Sequence, residues 1–542
     1  MLLAIPPAVF LALFFAWPIL AILDRGLRPD GQFDLGVFAD VLGDPTIRRV
    51  AWLTLWESLL STLLCLVIGL PGAAVFARLS FRGRRTLWAL LLVPFVMPTV
   101  VVATAFITLI GPDGITGVHL TGTIWAILVA HVFFNYAVVV RTVGATWMTI
   151  DDRQLEAART LGASPTRAFL SVTLPRLRAS IAAAASIVFL FSFTSFGIVV
   201  LLGGVHQRTL EVEIYDQTAR FLHLDVAAVL AILQLVGVVL LLVVFGRIRS
   251  SSSESEQRRS EELLRPAVSA SQRWFLRVNL VIIGLLLAAP LVVLVVRSLR
   301  TTHGWGFGAY LGLTSARVGT TSFISPTEAI VNSLRFAAAT MAISVLLGAS
   351  AAWAIAGRSR RSGSTHRSWG TSLAEAALMV PLGASAVTVG FGCLIALDRP
   401  PLDLRSSVWM LPIAHAVIAL PFVVRLLVPS IRSIDHRLLD AGASLGASRL
   451  RAWWSIELPL VWRQLVVAAG FAFAISLGEF GATAFLVRAD DPTLPIAIAR
   501  ALGRPGGDNF SQALALSVIL MGVIAVVVLL IDRLRPLGSS EF

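Results

Sequence analysis

The feature that most constrains the fold is a succession of about twelve apolar segments, each close to the length that a helix needs to cross a bilayer. Only helices and closed barrels satisfy every backbone hydrogen bond in lipid, and runs of about 20 apolar residues are typical of helices. We therefore expect an all-α, polytopic membrane protein. The predicted spans are 4–23, 52–77, 87–111, 122–142, 181–203, 224–246, 276–297, 333–357, 372–397, 408–428, 465–487 and 511–532.

The composition indicates lipid rather than water as the solvent. Of the 542 residues, 57% are hydrophobic and only 14% are charged, whereas soluble domains are about 25% charged. All 44 basic residues are arginine, and they lie mainly between the spans. The net charge of +13 therefore follows the distribution expected of membrane loops and does not indicate nucleic-acid binding. Without lysine the chain also lacks the phosphate-binding loop of nucleotide-binding proteins.

The distribution of arginine predicts the orientation. Residues 78–85 contain Arg78, Arg82, Arg84 and Arg85, whereas residues 112–121 contain none. Cytoplasmic loops are enriched in basic residues, so the first loop is expected inside, with both termini cytoplasmic. The first span is not expected to be a signal peptide, because it lacks a basic n-region and a clear cleavage site.

The second part of the chain repeats the first. Two six-span halves, 1–246 and 274–542, flank a polar, Ser-rich linker at 247–273. An even number of spans preserves orientation, so we expect parallel repeats related by an axis along the membrane normal. Pairs separated by 284 residues are Glu156 and Asp440, Gly162 and Gly446, Pro175 and Pro459, His131 and His415, Arg141 and Arg425, Asp151 and Asp435; Gly69 matches Gly348 and Pro94 matches Pro381 with small shifts.

The clearest repeat, at 151–177 and 435–461, is predicted to face the cytoplasm in both halves. In the first copy Glu156, Ala157 and Ala158 favour a helix, and Gly162 permits a turn. Ser164 and Pro165 predict the start of another short helix, and Pro175 marks the approach to the next span. The second copy offers Asp440, Ala441, Gly442, Gly446 and Pro459 at the corresponding positions. Such loops could be docking surfaces, or amphipathic interfacial loops without a partner.

The pattern Glu-Ala-Ala, three residues, Gly and a distal Leu-Pro resembles the cytoplasmic loop of permease subunits of binding-protein-dependent ABC importers. In that family the loop forms the coupling helix, which sits in a cleft of the ATPase subunit. The second copy departs from the pattern, since Asp440-Ala441-Gly442 replaces Glu-Ala-Ala, although Gly446 and Leu458-Pro459 are kept.

This resemblance implies a translocation subunit, not an enzyme, in a bacterial inner membrane. The chain would bind no cofactor, because ATP and Mg would be held by a separate ATPase dimer. An extracytoplasmic binding protein would deliver a small-molecule solute.

A finer resemblance concerns the solute. The stretches 130–135, 193–197 and 209–215 are similar to those of fused thiamine permeases. Iron(III) permeases share the fused twelve-span plan. The resemblance therefore favours thiamine and leaves iron(III) open.

Glu479 is the main candidate for the solute path. It lies about 14 residues, or roughly 21 Å, into its predicted span, where a charge costs on the order of 2.5–3.5 kcal/mol. It is predicted either to line the path and favour a cationic solute, or to be a buried carboxylate satisfied by neighbouring groups. Phe196 and Phe480 occupy equivalent positions, next to Ser195 and Glu479, and could form an apolar gate or simply pack in the core.

Other polar residues receive structural interpretations. His131 and His415 are expected to be packed, hydrogen-bonded residues, and Glu57 to reach the outer interface. Glu211 and Glu213 are expected in an outside loop, which is either an ordinary solvated loop or a place where a binding protein docks. Cys65 and Cys393 lie in spans and are expected in the core.

Two rival functions fit the sequence less well. A secondary transporter would need a coupling-ion site, and few carboxylates lie within the predicted spans. An intramembrane enzyme would need paired catalytic groups at one depth, and the sequence offers no such constellation.

Overall fold

The computed structural model describes residues 2–29, 31–34, 36–249, 265–266, 269–301, 304–314, 325–361, 377–398 and 402–534. Most of the predicted linker, 250–264, lies outside these residues. Within them, ten helices are long and apolar enough to cross a membrane, or up to twelve spans if each of two bent helix pairs is counted as one. The prediction of an all-α polytopic membrane protein is confirmed.

The helices follow one another in the same order in both parts of the chain. They are α1 (Ile5–Leu27), α2 (Gly36–Gly43), α3 (Pro45–Arg78), α4 (Arg84–Val96), α5 (Thr99–Ile110), α6 (Ile124–Met148), α7 (Asp152–Thr160), α8 (Pro165–Phe193), α9 (Gly197–Leu202), α10 (Leu210–Ala219), α11 (Leu224–Arg249), α12 (Ala270–Ser298), α13 (Gly308–Leu311), α14 (Pro326–Arg361), α15 (Ala377–Gly383), α16 (Ala386–Ala396), α17 (Met410–Arg432), α18 (His436–Ser444), α19 (Arg449–Gly478), α20 (Gly481–Leu486), α21 (Leu494–Leu502) and α22 (Gly507–Leu534). Two short strand pairs join β1 (Leu79–Ser80) to β2 (Arg265–Pro266) in parallel and β3 (Arg300–Thr301) to β4 (Gly304–Trp305) in antiparallel.

Helix α3 is the long helix around which the first half packs. Asp44 caps its N-terminus by accepting a hydrogen bond from the Thr46 N–H at 2.7 Å, and Pro45 occupies the first turn, where no backbone donor is needed. Its 34 residues span about 51 Å, more than the hydrocarbon core of a bilayer. Helix α14 has 36 residues and takes the equivalent place in the second half.

The predicted match of Gly69 with Gly348 has a packing reason. A Cβ on Gly69 would lie 2.7 Å from Val139 Cγ1, and one on Gly348 would lie 2.6 Å from Val423 Cγ1. The two valines are themselves 284 residues apart. Each half therefore needs glycine where its long helix crosses the helix that carries the buried histidine, α6 or α17.

The first helix of each half packs against the other half. Helix α1 contacts α16, where a Cβ on Gly392 would meet Pro18 Cβ at 3.0 Å. The Trp17 indole N–H also reaches the carbonyl oxygen of Ala396. Helix α12 packs in turn on α5 and α22. Each of the segments 1–246 and 274–542 thus packs its first helix against the other segment.

Two predicted spans are sharply bent. The predicted span 87–111 consists of α4 and α5 at 99°, and the predicted span 372–397 contains α15 and α16 at 106°. The first bend follows from Pro98, because proline disfavours helical backbone in the preceding residue, and Met97 is extended with ψ 139°. At the second bend Ala384 is extended and Ser385 caps α16.

Two further spans, 181–203 and 465–487, were predicted as continuous and are broken. Helix α8 ends at Phe193 and α19 ends at Gly478, and the short helices α9 and α20 follow. Hydropathy did not reveal these breaks, since the residues on both sides are apolar.

Candidate functional site

The two repeated loops have the same local geometry. Asp151 Oδ1 accepts a hydrogen bond from the Arg153 N–H at 2.9 Å and begins α7. Asp435 Oδ1 accepts from the Arg437 N–H at 3.0 Å and begins α18. Both helices have nine residues and end at the predicted glycine turn.

The glycine turns are left-handed. Gly162 has φ +89° and Gly446 has φ +78°. No atom lies within 4 Å of a Cβ built on either residue, so conformation rather than crowding selects glycine here.

Serine caps and wide helical turns follow in both copies. Ser164 accepts from the Arg167 N–H and Ser448 from the Arg451 N–H, both at 3.3 Å. The helices that begin there are α8 and α19, and they run on into the membrane spans. The predicted start of another short helix at Ser164 and Pro165 is confirmed, and this helix, Pro165–Ala168, continues through a π-helical turn into the span. A π-helical turn at 169–173 and another at 453–457 precede Pro175 and Pro459, whose missing N–H and ring an ordinary α-turn would not accommodate.

The predicted docking residues lie on this surface. Glu156, Ala157, Asp440 and Ala441 are exposed, whereas Ala158 and Gly442 are half-buried against the helix that follows. Ala158 and Gly442 explain why the second copy departs from the Glu-Ala-Ala pattern.

A Cβ on Gly442 would lie 2.8 Å from Ile456 Cδ1. The first copy has Ala158 and the smaller Val172 at the positions equivalent to Gly442 and Ile456. The glycine therefore accommodates a larger neighbour in the second copy.

The sequence interpretation missed the most exposed residues of the loops. Leu161 is 88% exposed and Leu445 is 89% exposed, and each directly precedes its glycine. The two leucines are also 284 residues apart, and this spacing could have identified them from the sequence. Exposed leucines at both loops, held by a left-handed turn, form a pair of apolar contact points.

Phe196 and Phe480 meet between the two halves. Their rings stack with centroids 5.5 Å apart and an angle of 25° between planes, and both side chains are buried. Gly197 permits this approach, because a Cβ there would lie 3.2 Å from Phe480 Cδ1.

Tyr215, which the sequence did not single out, extends this contact. Its ring lies 5.3 Å from that of Phe196 and 5.4 Å from that of Phe485. These four aromatic residues, 196, 215, 480 and 485, are called the aromatic cluster below.

A buried histidine stands beside Ser195, the residue before Phe196. His131 Nε2 lies 2.8 Å from Ser195 Oγ, at the break before Phe196. His131 Nδ1 lies 2.6 Å from Glu57 Oε1 and 3.0 Å from Ser61 Oγ. Glu57 is completely buried, so its predicted position at the outer interface is wrong. The expectation that His131 is packed and hydrogen-bonded is confirmed.

A second buried histidine stands beside Glu479, the residue before Phe480. His415 Nε2 lies 2.9 Å from Thr483 Oγ1 and 3.3 Å from Glu479 Oε2, and its Nδ1 lies 2.8 Å from Ser476 Oγ. Glu479 also accepts from the N–H groups of Ala482 and Thr483, both at 3.0 Å. The carboxylate thus caps α20 and has its partners within the protein, which is the second of the two alternatives given above for Glu479.

The residues expected in an outside loop are buried on helix α10. Glu211 and Glu213 are nearly inaccessible, so the prediction of a solvated loop is wrong. Glu211 accepts from the side-chain amide of Gln234, while Arg208 lies 3.9 Å from Glu213 and 3.5 Å from Asp216. The helix folds back against α11, which the alternating polar and apolar residues did not indicate.

Comparison with known families assigns the repeat. The profile of the family described as "Binding-protein-dependent transport system inner membrane component" matches residues 66–250 and 344–537, once in each half. Together the two matches cover more than half of the chain.

Curated relatives match along most of the chain. The thiamine transport system permease protein of Brucella abortus (strain 2308) is 27% identical over 522 residues, covering 92% of this chain and 90% of the relative. Its counterpart in Escherichia coli (strain K12) is 26% identical over 489 residues, covering 85% and 84%. A probable ABC transporter permease protein of Sinorhizobium fredii (strain NBRC 101917 / NGR234) is 24% identical over 553 residues, covering 96% and 94%.

Among solved structures, a bacterial ABC transporter involved in the import of the acidic polysaccharide alginate aligns with a TM-score of 0.40 and 18% identity, over 46% of this chain and 94% of that chain. The family assignment does not depend on that alignment, since the profile matches each half separately and the relatives span both halves. The chain belongs to the family of binding-protein-dependent transport system inner membrane components, as a fused permease with one copy of the family unit in each half.

Proposed function

We propose that this permease forms the translocation pathway of an ATP-driven thiamine importer. A separate ATPase dimer, which holds ATP and Mg, docks on the loops 151–177 and 435–461. An extracytoplasmic binding protein delivers the solute to the opposite face. The loops and both termini lie in the cytoplasm of a bacterial cell, and the permease itself carries out no hydrolysis.

The observation that supports an ATPase partner is the equivalence of the two loops. Each presents a capped nine-residue helix, an exposed leucine and a left-handed glycine in the same order. Burying a leucine side chain contributes about 1.5–3 kcal/mol, so two such residues would stabilise a complex appreciably. Two equivalent contact points on one face fit a partner that itself has two equivalent subunits.

The choice of thiamine rests on the full-length similarity to curated thiamine permeases, at 26–27% identity over both halves. The aromatic cluster between the halves is compatible with a solute that carries aromatic rings and a positive charge. Iron(III), the alternative solute, would be recognised by carboxylate and other oxygen ligands instead.

The test is uptake into proteoliposomes that contain the permease, its ATPase subunit and its binding protein. We expect uptake of radiolabelled thiamine that requires ATP on the side of the membrane where the ATPase lies. This uptake should persist when ionophores collapse all ion gradients. Excess unlabelled thiamine should compete, and iron(III) should not.

Each contrary result has a distinct meaning. Uptake that ionophores abolish and ATP does not drive would indicate a secondary transporter. ATP-driven uptake of iron(III) without uptake of thiamine would keep the importer and replace its solute.

A further inference from the structure

Each buried histidine connects a gate residue to the helix that leads into a docking loop. His131 lies on α6, which ends at Met148 just before Asp151 caps α7. His415 lies on α17, which ends at Arg432 just before Asp435 caps α18. A movement of either loop along its helix would therefore reach a histidine that contacts the gate turn.

The contacts are made by side chains from separate helices. In the first half, α6 supplies His131, α3 supplies Glu57 and Ser61, and Ser195 belongs to the break between α8 and α9. A histidine that served packing alone could be satisfied by the backbone of its own helix. Both ring nitrogens here are instead directed to neighbouring elements.

The hydroxyl groups around His415 are themselves tied to other elements. Ser476 Oγ donates to Thr340 Oγ1 at 3.0 Å, and Thr340 Oγ1 donates to the carbonyl oxygen of Pro412 at 3.3 Å. Thr483 Oγ1 donates to Glu479 at 2.9 Å. His415 therefore stands in a hydrogen-bond network that joins α14, α17, α19 and the turn at Glu479.

We propose that His131 and His415 are positioning residues that tie the turns before Phe196 and Phe480 to the helices of the two docking loops, so that loop movement opens the aromatic gate. The proposal rests on the proposed importer function. It adds to that function one connection in each half. The carboxylate beside the histidine is Glu57 in the first half and Glu479 in the second.

The structure provides a reporter for movement of the turn before Phe480. Pro98 of the first half lies against Gly478, the residue before Glu479, and a Cβ on Gly478 would be 3.5 Å from Pro98 Cβ. That separation lies within the range for a disulfide. The double variant P98C/G478C, in a background where Cys65 and Cys393 are replaced by alanine, should therefore form a disulfide between the halves when the gate is closed.

The experiment compares Ser195→Ala and Thr483→Val with Ser186→Ala in this reporter background. Ser186 Oγ bonds only to the carbonyl oxygen of Ala182 in its own helix, so Ser186→Ala removes a hydroxyl from α8 without touching the gate turn. The oxidation rate of the two cysteines is measured for the permease–ATPase complex in vesicles, with and without ATP.

In the reporter protein itself, ATP should slow disulfide formation, because the gate opens. Without ATP, Ser195→Ala and Thr483→Val should each slow disulfide formation by about fivefold, because each variant loses one hydrogen bond that favours the closed gate. The addition of ATP should then change the rate of disulfide formation little in either variant. Ser186→Ala should behave like its parent.

The proposal is overturned if both gate-turn variants keep the parent rate and the parent response to ATP. Lower yield of folded protein with an unchanged rate per folded molecule would mean that the histidine contacts are structural, and would overturn it too. Crosslinking needs neither solute nor binding protein, so this failure is separate from a failure of the thiamine assay.

Discussion

The repeated loops of the two halves are almost identical in geometry, whereas the buried histidine clusters are not. Both loops keep the aspartate cap, the exposed leucine, the left-handed glycine and the serine cap. In the membrane, His131 takes its carboxylate from Glu57 on the long helix, and His415 takes it from Glu479 at the gate turn.

The positions without a carboxylate hold other residues. Ser195 stands where the second half has Glu479, and Phe336 stands where the first half has Glu57, by the spacing that relates Gly69 to Gly348. Each half thus has one carboxylate beside its histidine, on the long helix in the first half and at a helix break in the second. On the proposal that both loops fit one partner, the loops have no such freedom, because the partner's surface is fixed.

The largest expected effect concerns the exposed leucines. Replacing both Leu161 and Leu445 by aspartate should abolish co-purification of the ATPase and uptake, because it removes two apolar contacts of about 1.5–3 kcal/mol each and introduces charge. The thermal unfolding temperature of the permease alone should stay unchanged, since both side chains face solvent.

Each single leucine variant should weaken the complex to a similar degree. A large effect of one and none of the other, measured by titration with the ATPase, would contradict the equivalence of the loops. Leu161→Met and Leu445→Met serve as controls that keep an apolar side chain.

The second prediction uses the left-handed glycines. Valine at both Gly162 and Gly446 should lower ATP-driven uptake at least about tenfold, because a left-handed backbone costs roughly 1–2 kcal/mol for each non-glycine residue. Gly284→Val is the matched control, since that glycine also has open space around it but adopts a helical φ of −60°. Equal losses in the control and in the loop variants would mean that flexibility, rather than the turn, matters.

The third prediction separates the two carboxylates. Glu479→Gln should destabilise the permease by about 1–3 kcal/mol, because an amide N–H₂ would replace an oxygen that accepts from a backbone N–H or from His415. Glu57→Gln should cost less, since Glu57 Oε2 has no hydrogen-bond partner and the new amide can occupy that side.

Thermal unfolding in detergent measures both variants. Uptake by Glu479→Gln also tests the path role predicted from the sequence. An unchanged rate and unchanged selectivity among solutes would exclude that role.

The smallest expected effect concerns a pair of hydroxyls on the long helices. Thr54 Oγ1 accepts from the Leu210 N–H at 2.9 Å, and Ser333 Oγ accepts from the Leu494 N–H at 2.6 Å. Thr54→Val and Ser333→Ala should each cost about 1 kcal/mol of stability by leaving a buried N–H without its acceptor. Thermal unfolding should give similar shifts for the two variants, and a shift in only one would show that the outer ends of the halves are held differently.

The sequence by itself determined what depends on neighbours in the chain. Hydropathy predicted the spans, the 284-residue spacing predicted two halves, and Gly162 and Ser164 predicted the turn and the serine cap of the first loop. Those features arise from hydrogen bonds and backbone preferences within a few residues, so a single chain carries their signal. The contact of Phe196 with Phe480 was likewise expected from their equivalent positions in the repeat.

Only the tertiary structure decided which helices face each other. The exchange of α1 and α12 between the halves, the folding back of α10, and the choice of Glu57 as partner of His131 depend on contacts between residues far apart in sequence. Apolar spans are interchangeable in lipid as far as hydropathy is concerned, and a carboxylate that is costly alone becomes tolerable only beside a particular partner. The position of that partner is set by packing, which the order of residues along the chain does not display.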